Sequence, residues 1–322
     1  MRGSVESTGR IVFHADDFGM SPAVNRGILT SFRNGLLTST SLLANGPSAE
    51  AAVQSWRSLN GDATAGRLNS SQRRKSLNEP TLPFDLGIHL NLTQGRPLTQ
   101  ERFPSTLLDS TGNFPGIGQI FSALMRANAV TISKVENELR AQIEWMCDHG
   151  CPPTHLNGHQ YIELIPVVAK LLPKLLGDYQ IPVVRVAAER GLVRSVLLKG
   201  RLAAWGLGCV KQYYASRFRK RMQAGPTRFP DLFFGTCHAG LIDQSVFSDF
   251  LRGRLGAKTV EVGVHPGDSI TIGDGALPVA WTDPLTNLRP SEKNWLCSPE
   301  LPQFLSERNI ALGRLQSLSP NC

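Results

Sequence analysis

Residues 11–28 read IVFHADDFGMSPAVNRGI, and the reading of the fold starts there. Ile11, Val12 and Phe13 are short, apolar and β-favouring, the pattern of a buried strand. The chain then passes Ala15-Asp16-Asp17 and Gly19 to reach Ser21-Pro22. Ser21 suits a helix N-cap and Pro22 the first helical position, with Val24, Ile28 and Leu29 continuing the helix. Two adjacent carboxylates thus stand at the C-terminal end of a strand, in the loop before a helix. In parallel α/β folds that edge is where ligands bind. Burying carboxylates is costly unless they are paired or hold a metal, so a core strand has no structural use for them there. The plainer alternative is a helix-capping Asp beside a solvated one.

Strand, polar loop and helix then recur along the chain. Strands are expected over 36–43, 84–91, 154–159, 181–186, 231–235 and 259–264, with a last one over 312–318. Helices are expected over 49–59, 132–147, 166–176 and 245–255, with one or two basic helices in 192–224 and a helical C-terminal half of 292–310. In the helix over 132–147, Val135, Leu139, Ile143 and Met146 form the apolar face, leaving Glu136, Glu138 and Arg140 outside. Repeated βα units imply a parallel sheet with right-handed crossovers. Because chemically loaded residues follow several separate strands, an irregular TIM-like (β/α) barrel fits better than an open sheet.

The 322 residues are 41% hydrophobic, ample for one large core, and we read 1–322 as a single domain. Residues 60–80 read as a flexible surface insertion and 192–228 as a basic helical insertion. The net charge of +8 concentrates in Arg73-Arg74-Lys75 and in 199–228, which includes Lys211, Arg217, Arg219, Lys220 and Arg221. The favoured reading of the second cluster is a solvated helix face. The six cysteines form no CxxC pair, and we read them as reduced thiols. The opening MRGSVESTGR has no apolar signal core and no stretch is long enough to span a bilayer, so the expectation is a cytoplasmic protein.

His14, Asp16, Asp17, His89, His155, His159, His238 and His265 all fall at strand ends, and only His149 sits at a helix terminus. Each His taken alone reads equally well as a satisfied core group. As a set beside a double-Asp loop they read as a metal site. Two imidazoles and a carboxylate make a facial ligand set with open positions, suited to Zn²⁺, Mn²⁺, Fe²⁺ or Co²⁺ and less naturally to Mg²⁺. A second carboxylate off the metal can take the proton from the attacking water. The spacing says metal hydrolase without saying which.

HADDFGMSPAVNRGI, RNGLLTSTSLLANG, GIHLNLTQGRPL and THLNGHQYIELIP together resemble the YdjC family of carbohydrate deacetylases, and VGVHPG and LCSPELPQFLSERNIALG resemble its C-terminal pattern. The resemblance covers most of the chain in order. It implies an irregular TIM-like barrel, often homodimeric, that removes N-acetyl groups from an amino sugar or oligosaccharide with one divalent metal, Mg²⁺ or Zn²⁺. Carried over by residue, it makes Asp17, His89 and His159 the metal ligands, Asp16 the general base and His265 the group that protonates the leaving amine.

The chain also departs from the family. Asn157 stands where an Asp is common, and Gln160, Tyr161 and Glu163 stand where further His residues often lie. That puts in question the support of the ligands and the substrate contacts. The roles of His155 and His238 stay open. Two other readings stand beside deacetylation: a metal hydrolase of another amide or a phosphoester, and a basic anion-binding protein. No nucleic-acid motif accompanies the basic residues, so no nucleic-acid partner is expected.

Overall fold

The computed structural model describes residues 9–64, 84–189, 202–253 and 256–318. The first strand, β1, spans Arg10–Phe18 and runs on through the Asp pair. The expectation of a loop at Asp16-Asp17 is thereby corrected. Ile11, Phe13 and Ala15 join the main apolar core, whereas Val12 packs with Val183, Leu315 and Leu318 in a separate cluster. His14 and Asp16 share the face of Val12 by the two-residue period of a strand. That period would send Asp17 to the opposite face. Instead Asp17 takes φ 68°, and the register between β1 and β2 (Ser39–Leu42) shifts between Ala15 and Phe18. A bulge of this kind re-aims a side chain, and here it brings both carboxylates to one site.

The remaining strands are β3 (Asp85–Leu90), β4 (Leu156–Gly158), β5 (Leu232–Phe234), β6 (Thr259–Val264) and β7 (Ala311–Leu312). All pair in parallel, in the order β4-β3-β2-β1-β6-β5, with β7 against β1. Beyond β4 the ring continues through isolated parallel bridges, Leu156 to Val184 and Val183 to Arg228. The result is a parallel half-barrel wrapped by helices, an irregular TIM-like barrel. The strand expected over 181–186 is reduced to those bridges. Pro182 has no N–H to give, and its carbonyl accepts from Arg228.

Nine helices surround the sheet among the described residues: α1 (Pro22–Asn34), α2 (Ala49–Thr64), α3 (Ile117–Leu124), α4 (Ala129–Asp148), α5 (Pro166–Asp178), α6 (Leu202–Gln223), α7 (Gln244–Gly253), α8 (Arg289–Leu296) and α9 (Glu300–Ser306). Ser21 caps α1 by accepting from the Val24 N–H, as its sequence requires. The sequence reading missed α3, whose start is obscured by Gly116 and Gly118. The helix expected in the C-terminal half of 292–310 is α9; the preceding helix, α8, which begins at Arg289 and is separated from α9 by the break at Pro299, was missed. The last strand is only two residues long. Leu315 and Leu318, three apart, suit the 3-10 turn Leu315–Ser317 that fills the barrel floor with Val12 and Val183.

One expected surface residue is buried. Glu138 of α4 is 0% exposed, and its carboxylate accepts from the Leu98 and Thr99 N–H groups and the Thr99 hydroxyl. It anchors the long loop after β3. Earlier in this loop, Gln94 accepts from the Thr282 N–H, and Gly95 donates to the Ala280 carbonyl, tying the loop to the one after β6. The insertion expected over 60–80 begins with the end of α2, and its residues from 65 on lie outside the described residues. So does the part of 192–228 before Leu202. Among the described residues, Cys147, Cys151, Cys209, Cys237 and Cys297 are in no disulfide. No described helix is long and apolar enough to cross a membrane.

Candidate active site

Asp17, His89 and His159 converge at the C-terminal edge of the sheet, all buried, each with a ligand-type atom within 4.8 Å of the others'. Asp17 Oδ1 lies 3.0 Å from His159 Nδ1 and 3.4 Å from His89 Nε2. Ligands about 2.1 Å from one small cation, at right or tetrahedral angles, stand about 3.0–3.4 Å apart. Both contacts of Asp17 therefore have the spacing of ligands on one ion.

The protonation pattern around Asn157 supports the same fit. Asp16, when ionised, only accepts, so the Asn157 amide NH₂ must face it; the Nδ2 to Oδ1 distance is 2.9 Å. The Asn157 carbonyl then faces His89 Nδ1 at 2.8 Å, which places the ring proton on Nδ1. A neutral His89 consequently points its Nε2 lone pair at Asp17 Oδ1. Only a proton or a cation between the two atoms makes that contact favourable. Burial works against a charged His89, but the Asp16 and Asp17 carboxylates outweigh it and raise its pKa. Asn157 thus supplies the support that its departure from the family pattern put in question.

Asp16 has a different shell. Its Oδ2 accepts from Arg185 Nη1 at 2.7 Å, and its Oδ1 lies 3.4 Å from His14 Nε2. Arg185 is itself held by Glu261 of β6, through Nε at 2.7 Å, and its guanidinium lies over the Phe233 ring at 4.7 Å. Burial alone would raise the Asp16 pKa. Arg185, with His89 and His14, more than reverses this and holds the carboxyl well below the ordinary range. Asp17 behaves alike: burial raises it, and Arg289 with the two imidazoles brings it well down.

His265 follows β6, with Nε2 3.8 Å from Asp16 Oδ2. Burial lowers its pKa and the two carboxylates only partly offset this, so the ring is mainly neutral near pH 7. Its backbone N–H is held by Glu292 of α8, which also accepts from the Ile242 N–H. One turn earlier on α8, Arg289 donates from Nη2 to Asp17 Oδ2 at 2.7 Å. A short helix thus holds both a candidate ligand and the His265 loop.

The other histidines lie outside the three-residue cluster, although His14 reaches Asp16. His14 bonds Ser39 and Ser41 and stacks edge-on with His155 at 4.7 Å, within the barrel beneath the Asp pair. His155 is fully buried, with its pKa pushed down to about 3 first by burial and then by Arg185. A side chain at Gly87 would collide with the His155 ring, so glycine there makes its space. His238 packs against Phe250 after β5, and His149 caps α4 while stacked on Trp145. In the basic helix α6, Lys211 turns toward the site loops, its Nζ 4.2 Å from the centre of the Tyr161 ring, while Arg217, Lys220 and Arg221 stay exposed.

Arg185, Glu261, Arg289 and Glu292 were not singled out from sequence. The first two carried a signal: a charged residue inside an apolar strand pattern, IPVVRV and TVEVGV, is expensive unless paired. Arg289 and Glu292 lie in a polar stretch and carried none.

Residues 10–307 match the YdjC-like protein family. A human protein named carbohydrate deacetylase is 31% identical over 327 residues, covering 96% of this chain and 91% of its own. A mouse protein of the same name is 29% identical over 326 residues, covering 96% and 94%. A solved structure from Enterococcus faecalis, provisionally described as a cellobiose-phosphate cleavage protein, superposes with a TM-score of 0.66. It is 22% identical and covers 97% of this chain and 100% of its own, a likeness of fold. The chain belongs to the YdjC-like family.

Proposed function

We propose that the protein is a divalent-metal-dependent hydrolase that removes N-acetyl groups from an amino sugar or oligosaccharide. The observation that carries this is the Asp17, His89 and His159 cluster with Asp16 beside it, in a chain whose curated relatives are named carbohydrate deacetylases. In this reading those three residues hold the ion. Two nitrogens and one oxygen suit Zn²⁺ better than Mg²⁺. A divalent ion there would supply Lewis acidity, polarising the acetyl carbonyl and making water a nucleophile at neutral pH.

Asp16 accepts the proton of the attacking water. Arg185 keeps it ionised, so it is ready to accept at every turnover, at the cost of some basicity. His265 delivers a proton to the leaving nitrogen. Because it is mainly neutral at rest, that proton is taken up during turnover, and Asp16 Oδ2 at 3.8 Å is placed to pass it on. The balance is one water and one amide consumed, with acetate and an amine produced.

The test is acetate release from N-acetylglucosamine and its short β-linked oligomers, before and after chelation and with Zn²⁺ or Mg²⁺ restored. We expect release that chelation abolishes, metal restores and His159→Ala lacks. Release indifferent to both chelation and His159→Ala would overturn the metal reading. Bound metal without acetate from any N-acetylated sugar would overturn the substrate class.

A further inference from the structure

We propose that Arg289 fixes how Asp17 ligates the ion, occupying Oδ2 so that Oδ1 alone is offered. This rests on the metal reading above and adds a positioning residue to it. The two oxygens of Asp17 are already divided. Oδ1 faces His159 Nδ1 at 3.0 Å and His89 Nε2 at 3.4 Å, while Oδ2 takes Arg289 Nη2 at 2.7 Å.

Arg289 is not free to leave. It is 2% exposed, and Asp283 grips it through Nε at 2.7 Å and Nη2 at 3.0 Å. Met20 Sδ lies 3.6 Å from the same Nη2. Gly267, just after His265-Pro266, makes room for the stem: a Cβ there would lie 2.9 Å from Arg289 Cδ.

The consequence is chemical. A carboxylate that binds through both oxygens adds an oxygen ligand, and oxygen-rich, higher-coordinate sites favour Mn²⁺ and similar ions over Zn²⁺. Holding Oδ2 keeps the set at two imidazole nitrogens and one oxygen, the composition of an open Zn²⁺ site. The guanidinium charge itself repels a cation. Positioning and charge therefore predict opposite signs when Arg289 is removed, and the sign decides between them.

The experiment is direct titration of metal-free protein with Zn²⁺ alone and Mn²⁺ alone by calorimetry, for wild type, Arg289→Met and Asp283→Asn. Urea unfolding of each metal-free protein shows whether it is folded. We expect Arg289→Met to weaken Zn²⁺ binding about 10–100-fold and Mn²⁺ binding less, narrowing the preference. Asp283→Asn, which leaves Arg289 and Asp17 in place, should shift both in the same sense by a smaller factor. It keeps the test available if Arg289→Met does not fold. Unchanged or tighter Zn²⁺ binding, or equal losses for both ions, overturns the proposal. Wild type that takes up neither ion overturns the metal reading itself, and this inference with it.

Discussion

Asp16 and Asp17 are neighbours in the chain, both buried, each with one oxygen on a buried arginine. What differs is the company of the other oxygen. Asp17 Oδ1 faces two imidazole nitrogens, which can give up a proton and become ligands. Asp16 Oδ1 takes the Asn157 amide NH₂, which can only donate, and faces one imidazole nitrogen, His14 Nε2 at 3.4 Å, on a ring whose two nitrogens already bond Ser39 and Ser41. Under the proposed reading the identical side chains do different work: Asp17 shares a cation with two imidazoles, and Asp16 is held as an acceptor beside it. The positive-φ residue in β1 makes the comparison physical, since a regular strand would have put the two carboxylates on opposite faces.

The sharpest way to break the comparison is to neutralise the acceptor. Asp16→Asn should cut acetate release about 10²–10⁴-fold, the usual range for a lost general base. Steady-state kinetics reads it, and a loss under tenfold would contradict the role. Next in size is the arginine behind Asp16. Arg185→Met leaves Asp16 and Glu261 buried without the guanidinium they share and should cost about 3–5 kcal/mol, read as a lowered urea midpoint. A variant as stable as wild type would mean that the ion pairs only balance their own desolvation.

Asn157 bridges the two halves. Asn157→Leu frees His89 Nδ1 and should weaken metal binding about 10–100-fold. Calorimetric titration measures it, and an unchanged affinity would show that the ring is fixed by packing alone.

The smallest effect concerns Glu163, fully buried with both carboxyl oxygens unpartnered. Burial raises its pKa to about 7. An unfolded carboxyl loses its proton near the ordinary 4.5, whereas the folded one keeps it to about 7. Stability therefore falls as pH rises through that window. Glu163→Gln cannot ionise, so it should match wild type near pH 5 and exceed it near pH 8, by on the order of 1 kcal/mol. Parallel urea profiles at the two pH values would rule this out.

The sequence carried much of this because it wrote the site at strand ends. IVF, FDLGIHLN and TVEVGV are largely apolar runs with their candidate site residues at or beyond the last positions, and the candidate ligand types could be read there without a fold. The bulge at Asp17 was not legible, because Asp tolerates positive φ without announcing it. Nor was Arg289, 272 positions from its partner in a polar stretch whose burial follows only from where α8 packs. Glu138 misled for a related reason: a charged residue beside a helix's apolar face reads as solvated until a loop with unpaired N–H groups is laid across it.

The most direct test of the division between the two carboxylates is a metal titration of Asp16→Asn and Asp17→Asn beside wild type. The account predicts one ion bound by wild type and by Asp16→Asn with affinities within a few-fold, and none by Asp17→Asn. Loss of the ion from Asp16→Asn as complete as from Asp17→Asn, or an ion retained by Asp17→Asn, would contradict it.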